Sequence, residues 1–197
     1  GTGTKGGIVD VMSGTLITER HKFPTPQPAT PENIATTFAQ LVSYFNWKGP
    51  IGVGFPSVVI DGVTLTAANL DPSCIGSDMG AHFSRISQGP VYLLNDADAA
   101  GLAEMHFGAG KDCRRGTCLM VTIGTGIGSA LFHNGQLVPN TELGHTFMEN
   151  GFKSEKFASG KALQEQGLTL QEWVVRLNAF LQYMENLFWP RRIILGG

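Results

Sequence analysis

The sequence predicts an α/β protein, because short apolar runs typical of buried strands alternate with amphipathic helical patterns along its 197 residues. The clearest strand-like runs are residues 51–55, 91–94 and 118–123. Glycine is abundant, with 26 residues, so we expect many tight turns and close backbone approaches. This alternation favours mixed sheets flanked by helices.

Composition and charge exclude several classes of protein. The formal net charge is -2, whereas binding to nucleic acid or to an anionic membrane needs clustered Lys and Arg. No apolar run reaches the ~18 residues of a membrane span, and no secretory signal is visible. The three cysteines, Cys74, Cys113 and Cys118, lack metal-type spacing. We therefore expect a soluble cytoplasmic protein with buried thiols and with neither nucleic-acid nor membrane partners.

In the first half of the chain, a hairpin and a Pro-rich connector precede alternating helices and strands. Thr30 is suited to cap a helix that has Pro31 at its first position, and apolar residues follow at helical spacing. The predicted elements are strands at 7–11 and 15–18, a connector at 23–28, a helix at 31–45, a strand at 51–55, a short strand at 63–66, a helix at 79–86, a strand at 91–94 and a helix at 98–107.

The second half is predicted to contain a hairpin sheet and one long helix. Asn134-Gly135 is a strong hairpin signal after the strands at 118–123 and 129–132. Thr169 and Glu172 have the spacing of a capping box, and Pro190 ends the helix that they begin.

The polar segment 108–116 is the predicted hinge between two lobes, which gives an N-terminal lobe at 1–112 and a C-terminal lobe at 113–197. The chain opens on a glycine loop without a preceding strand, and it stops in a strand pattern that enters a glycine turn. We therefore expect residues to be missing at both ends.

Two glycine-rich segments are candidates for phosphate binding. Residues 124–129 follow a strand but lead into another strand rather than a helix, so a dinucleotide-binding fold is excluded. A glycine turn between strands still presents backbone N–H groups to a phosphate, although a plain turn is the alternative. Residues 1–5 form a second Gly/Thr loop, with Lys5 as a point charge but without P-loop spacing.

Polar residues follow the predicted strand at 91–94. Ligands of open α/β sheets bind at the carboxyl ends of strands, and a carboxylate there is suited to take a proton from a substrate hydroxyl. We assign this chemistry to Asp96 and the capping of the next helix to Asp98. The alternative is that Asp96 or Asp98 only caps the helix.

A third group of candidates follows the hairpin. Glu142, His145 and Glu155 supply two carboxylates and an imidazole, which suit the adjacent hydroxyls of a polyol. The alternatives are a structural histidine at 145 and a solvated charge run around Glu155. No cysteine follows His145, so the adjoining sequence provides no zinc site.

Taken together, these segments resemble the ROK family of sugar kinases and related repressors, and within it the polyphosphate/ATP-dependent glucokinases. The resemblance spans essentially the whole chain in order. The motifs that carry it are residues 1–6 (GTGTKG), 23–31 (FPTPQPATP), 67–71 (AANLD), 95–101 (NDADAAG), 124–130 (GTGIGSA) and 138–145 (VPNTELGH).

The resemblance implies an actin-like or hexokinase-like fold of the ribonuclease H type, in which two lobes close over a sugar and a phosphate donor carrying Mg2+. It implies no zinc, and Gly196-Gly197 would begin an adenosine-side glycine motif. Asp96 would accept the proton of the sugar 6-hydroxyl. The sugar ligands would be Asn69, Asn95, Asp96, Glu142, His145 and Glu155, and the donor-phosphate residues would be Thr2, Gly3, Lys5, Gly124, Thr125 and Gly126.

Three departures from the family pattern stand out. The aspartate that usually precedes the first glycine loop would lie before residue 1. Ser57 stands where the family usually has glycine beside the sugar, which would tighten or reshape that pocket. The cysteine cluster that binds zinc in many members is absent, as it is in the polyphosphate subgroup.

The implied function is transfer of a phosphoryl group from polyphosphate, ATP or both to glucose, by a homodimer. An ATP-only hexokinase and a non-catalytic sugar-sensing regulator are the alternatives, and mannose remains open as a substrate. Asp96 favours an enzyme, because a sensor needs only hydroxyl ligands. Lys111, Arg114 and Arg115 are candidates to follow a long polyanion, with solvated surface as the alternative.

Overall fold

The computed structural model describes residues 3–149 and 151–197, and the chain divides into two compact units, Gly1–Ala99 and Ala100–Gly197. The predicted lobe boundary between residues 112 and 113 lies later in the chain than this division, and it stays a prediction.

The first unit is built from short strand pairs and two helices. Its elements are β1 (Thr4–Gly6), β2 (Val9–Asp10), β3 (Thr15–Leu16), β4 (His21–Phe23), α1 (Pro31–Phe45), β5 (Ile51–Phe55), β6 (Val59–Ile60), β7 (Val63–Thr64), a 3-10 helix (Pro72–Cys74), α2 (Met79–Ser87), β8 (Val91–Asn95) and the start of α3 (Asp96–Phe107). The predicted hairpin is confirmed as the antiparallel pair of β2 and β3.

Local sequence signals explain where α1 begins and ends. The Thr30 hydroxyl accepts a hydrogen bond from the Asn33 N–H at 3.3 Å, and Pro31 occupies the first turn. Asn46 ends the helix in the left-handed conformation, with φ 46°. The inner face of α1 packs with α2, and Phe38 stacks on Phe83 with ring centroids 4.3 Å apart.

The second unit has one mixed sheet with helices beside it. Its elements are the rest of α3, β9 (Thr117–Ile123), β10 (Ile127–His133), β11 (Gln136–Val138), a 3-10 helix (Leu143–His145), α4 (Ser154–Ala158), α5 (Gly160–Glu165), α6 (Leu170–Phe188) and β12 (Arg192–Gly196). The strand order is β11-β10-β9-β12, and β12 runs parallel to β9 while the other pairs are antiparallel.

Strand β9 is buried on both faces. Its side chains alternate, so that Met120 packs with Met105 of α3 while Leu119 and Val121 pack with Phe180 of α6. These residues are no more than 5% exposed. The unbroken apolar run in the sequence is therefore the pattern of a central strand covered by helices on both sides.

The long helix follows its sequence signals. Thr169 and Glu172 form the predicted capping box, with the Thr169 N–H donating to Glu172 Oε2 at 2.8 Å, and α6 ends two residues before Pro190. The two short helices α4 and α5 were not predicted. All three cysteines are free and buried, as expected. Among the described residues, no helix is both long and apolar enough to span a membrane.

Helix α3 approaches strand β10 most closely at Gly101. A Cβ atom at this position would lie 2.5 Å from the Ala130 Cβ and 3.0 Å from Phe132 Cε2. Neither neighbour is free to move, because Ala130 is 0% and Phe132 is 1% exposed. Glycine is therefore required at this point for the helix to pack on the sheet.

We predict that Gly101→Ala lowers the free energy of unfolding by about 1–3 kcal/mol, because the added methyl group overpacks this contact. Denaturant unfolding measures the change. Gly52→Ala is the matched control, since a Cβ at Gly52 would meet no atom within 4 Å. Equal effects of the two substitutions would contradict the proposed packing constraint.

Candidate functional site

A buried asparagine organises the carboxyl end of β8. The Asn95 side-chain oxygen accepts hydrogen bonds from the N–H groups of Ala97 at 2.8 Å and Asp98 at 3.2 Å, which caps α3. Its amide nitrogen donates to the Ser57 carbonyl oxygen at 3.1 Å. One side chain, 7% exposed, thus joins the start of α3 to the loop that follows β5.

Asp96 is the first residue of the helix that Asn95 caps. Solvent reaches its side chain, yet the protein atoms crowded around the carboxyl group raise its pKa above the ordinary value of 3.8. A hydrogen bond from the backbone of Ala97 acts in the opposite direction but is the smaller effect. The result is an accessible carboxylate of increased basicity, which is the property required of a general base.

The prediction that Asp98 caps α3 is wrong. The helix begins at Asp96 rather than at 98, because the Asn95 oxygen satisfies the first free N–H groups. Asp98 instead lies inside the first turn and is 1% exposed.

Ser57 uses its hydroxyl within the protein. This hydroxyl is 2.8 Å from the Thr66 carbonyl oxygen, to which it donates, and it accepts from the Thr66 N–H at 3.1 Å. The Thr66 hydroxyl in turn accepts from the Val58 N–H at 3.0 Å. Thr66 was not predicted to take part, since neither its spacing nor its neighbours in the sequence indicate this link. The contacts secure the start of the segment that leads to Asn69.

Asn69 lies in an exposed turn between β7 and the first 3-10 helix. Its side chain makes no hydrogen bond within the described part of the chain. The two predicted asparagines of the first unit therefore differ, because Asn95 is committed to the backbone around it whereas the Asn69 amide is available.

The first glycine loop differs from the prediction. Thr4, Lys5 and Gly6 form strand β1, which pairs with β4, so Lys5 lies on a strand opposite Lys22. Gly3 lies against the Lys22 side chain, whose Cε would be 2.1 Å from a Cβ at that position. No local sequence signal indicates this strand pair, so Lys22 was not among the predicted residues. Thr2 lies outside the described residues.

The second glycine turn joins β9 to β10 and is open at its tip. The Gly124 N–H donates to the Gly126 carbonyl oxygen at 3.0 Å, and a Cβ at Gly124 would meet no atom within 4 Å. Thr125 is exposed. The Lys161 N–H donates to the Gly124 carbonyl oxygen at 3.2 Å, which fixes one side of the turn to α5.

Ser129 and Gly144 hold the segment that contains Glu142. The Ser129 hydroxyl donates to the Thr141 carbonyl oxygen and accepts from the Leu143 N–H at 3.1 Å. A Cβ at Gly144 would lie 2.2 Å from the Ile127 carbonyl oxygen, so only glycine fits there. Glu142 therefore enters the short 3-10 helix directly beside the start of β10.

Glu155 is brought back to the same place by contacts between Thr146 and Ser154. The Ser154 N–H donates to the Thr146 carbonyl oxygen at 2.8 Å, and the two hydroxyls are 2.9 Å apart. Glu155 Oε1 then lies 3.9 Å from His145 Nε2, and its Oε2 would be 3.0 Å from a Cβ at Gly126. Gly126, His145 and Glu155 thus meet at one end of β10, and Glu155 is not part of a solvated charge run.

The predicted site residues fall into two groups, one in each unit. The group of the first unit contains Gly3, Lys5, Asn69, Asn95 and Asp96, and that of the second contains Gly124, Thr125, Gly126, Glu142, His145 and Glu155. Among residues 3–149 and 151–197, no set of three or more His, Cys, Asp or Glu side chains is placed to hold a metal ion.

Comparison with known proteins places the chain in a family. The model of the ROK family matches residues 1–174. The polyphosphate glucokinase of Mycobacterium tuberculosis (strain ATCC 25618 / H37Rv) is 46% identical over 201 residues, which cover all of this chain and 74% of the relative. That of Mycobacterium leprae (strain TN) is 44% identical, and the match covers all of this chain and 60% of the relative.

Solved structures agree with this relationship. The inorganic polyphosphate/ATP-glucomannokinase of Arthrobacter sp. strain KM matches with a TM-score of 0.94 and 44% identity, over all of this chain and 80% of the other. A ROK family glucokinase from Streptomyces griseus, in complex with glucose and AMPPNP, has a TM-score of 0.83 at 23% identity, with the same coverage. The predicted actin-like fold is confirmed. The chain belongs to the ROK family.

Proposed function

We propose that this protein is a sugar kinase that transfers a phosphoryl group from inorganic polyphosphate, ATP or both to the 6-hydroxyl of glucose. The observation that carries the proposal is the solvent-accessible carboxylate of Asp96, which the Asn95 cap fixes at the start of α3. The 46% identity to polyphosphate glucokinases over the whole chain supports the same class of substrate.

Asp96 acts as the general base. Phosphoryl transfer needs in-line positioning of the attacking hydroxyl and little covalent chemistry from the protein. The carboxylate accepts the proton of the 6-hydroxyl as its oxygen attacks phosphorus, and the desolvation that raises the pKa of Asp96 strengthens it as a base. Asn95 is a positioning residue here, because its amide already bonds to Ser57, Ala97 and Asp98.

The remaining polar side chains hold the sugar. Glu142 and Glu155 accept hydrogen bonds from hydroxyl groups, while Asn69 and His145 each offer a donor and an acceptor. The 3.9 Å separation of His145 and Glu155 lets both contact neighbouring hydroxyls of one ring. Mannose differs from glucose at a single hydroxyl, and it is a candidate second substrate.

The donor binds through backbone and cationic groups. The open turn of Gly124, Thr125 and Gly126 contacts its terminal phosphates, and Lys5 supplies a point charge with Gly3 and Thr2 beside it. Mg2+ needs only one or two protein carboxylates when phosphates and water fill its other positions. Mg2+ bound with the donor would neutralise charge on its phosphates.

We further propose that the protein works as a homodimer in the cytoplasm. Helix α6 supports the first part, because several of its apolar side chains face solvent. The most exposed of these are Leu170 and Val175, at 65% and 69%.

The direct test offers ATP and long-chain polyphosphate in parallel, with Mg2+ and glucose, and measures glucose 6-phosphate. We expect turnover with polyphosphate. Turnover with ATP alone would replace the proposal by an ATP-dependent hexokinase. Glucose binding without turnover on either donor would favour a sugar-sensing regulator.

We predict that Asp96→Asn lowers kcat by about 10²–10⁴-fold, because the amide accepts no proton, while the Kd for glucose changes little. Steady-state kinetics and calorimetric glucose titration measure the two quantities. Asp61→Asn is the matched control, since it makes the same change in an exposed turn of the same unit and leaves both values as they are. A variant at 96 with full kcat would contradict the assignment.

We predict that Glu142→Gln and Glu155→Gln each raise the KM for glucose about tenfold or more, because a hydrogen bond to a charged acceptor contributes about 1.5–3 kcal/mol. Glu185→Gln, on the exposed face of α6, serves as the control. The KM for the phosphate donor stays within about twofold in all three variants. A changed KM for the donor with an unchanged KM for glucose would indicate that these carboxylates contact the phosphate donor instead of the sugar.

A further inference from the structure

Arginines that are far apart in the sequence gather where β9 and β12 begin. The two strands are parallel, with Arg192 opposite Cys118, and the Arg191 N–H donates to the Thr117 carbonyl oxygen at 2.8 Å. This register brings Arg191 and Arg192 beside Arg114 and Arg115, which only Gly116 separates from β9. We call Arg114, Arg115, Arg191 and Arg192 the arginine cluster; it surrounds a cavity of about 480 Å³ that Asp112 and Cys113 also line.

The arginine cluster carries more positive charge than its neighbours balance. Among the described residues, Asp112 is the one carboxylate that lines the cavity, and Arg192 donates to both of its oxygens, at 2.6 and 3.2 Å. Arg115 and Arg191 are exposed, and their guanidinium groups have no hydrogen bond or ion pair within residues 3–149 and 151–197. This excess stands out in a chain whose net charge is -2.

The backbone that carries the cluster is fixed in place. Gly116 has a left-handed φ of 72°, and its N–H donates to the Asn134 side-chain oxygen at 2.8 Å. The Asn134 N–H donates back to the Gly116 carbonyl oxygen at 2.9 Å. On the other side, Arg192 also donates to the Ala109 carbonyl oxygen. A ligand would therefore meet cations whose backbone positions are already set, which reduces the entropy lost on binding.

The chemistry of the lining indicates a phosphate polymer. Guanidinium groups bind phosphate oxygens through paired N–H donors, and several in one cavity suit a ligand with many adjacent phosphates. The lining contains no aromatic side chain on which a base would stack, so a ligand without bases fits better than a nucleic acid.

We propose that the arginine cluster is a second binding site for inorganic polyphosphate, separate from the glycine turn at Gly124–Gly126. Cys118 of β9 lies beside the arginine cluster, and Ile123 at the other end of β9 precedes the glycine turn. At about 3.3 Å per strand residue, the two sites are therefore roughly 17 Å apart. A long donor held at the cluster raises the effective concentration of its reacting end at the turn, whereas a donor too short to reach both gains nothing. This inference rests on the proposed function.

The test compares Arg115→Gln/Arg191→Gln with the control Lys48→Gln/Arg85→Gln, which removes the same charge from exposed positions elsewhere. Binding of long-chain polyphosphate is measured without glucose over a range of salt concentrations. Kinetics are measured with long-chain polyphosphate, tripolyphosphate and ATP. Arg192 is left unchanged because it bonds to Asp112 and Ala109.

We predict that the arginine variant loses about tenfold or more in affinity for long-chain polyphosphate. Its slope of log K against log salt concentration becomes shallower by about 1.5–2, because two cations are removed. Its KM for that donor rises in parallel, while kcat and the constants for tripolyphosphate and ATP stay within about twofold of the control. If the wild type transfers no phosphoryl group from polyphosphate but the arginine variant still loses polyphosphate binding, the second site is supported and polyphosphate is rejected as the donor.

Two outcomes would overturn the inference. The first is equal binding and equal long-chain KM in the arginine variant and the control. The second is tighter binding of single-stranded RNA of matched length than of polyphosphate, lost in the arginine variant, which would make the cluster a nucleic-acid site.

Discussion

The geometry around the proposed catalytic residue depends on one buried amide group. The Asn95 side-chain oxygen accepts hydrogen bonds from two N–H groups of α3, and its amide nitrogen donates to the Ser57 carbonyl oxygen. These bonds set where the helix begins and where the loop after β5 runs. Parallel pairing of β5 and β8, with Phe55 opposite Asn95, brings these partners to the same edge. Asp96 follows directly on this amide, so the cap sets the backbone position of its carboxylate.

In the second unit, too, hydrogen bonds between side chains and the backbone position the polar residues. Ser129 binds the chain on both sides of Glu142, and the paired contacts of Thr146 and Ser154 return Glu155 to His145. Buried hydroxyls with complete hydrogen bonds make such segments rigid, because an unpaired group there would be costly. The segments that carry Glu142, His145 and Glu155 are therefore held in place by hydrogen bonds of serine and threonine hydroxyls.

Much of this organisation could be predicted from local signals. The capping box at Thr169, the Asn134-Gly135 hairpin and the central strand β9 all appear as expected, because each depends on residues close in sequence. The start of α3 was misplaced because Asn and Asp cap helices about equally well, and only the loop carrying Ser57 selects Asn95. The pairing of Lys5 with Lys22, the link from Ser57 to Thr66 and the gathering of the arginine cluster depend on contacts between distant segments, which periodicity does not encode.

The most direct test of the central claim is the pH dependence of kcat/KM for glucose, in the wild type and in the residual activity of Asp96→Asn. A base must be ionised, so activity is lost as the pH falls through the pKa of its carboxyl group. Since burial raises the pKa of Asp96 above 3.8, the account predicts an acid limb above that value in the wild type and none in the variant. An identical acid limb in both proteins would contradict it.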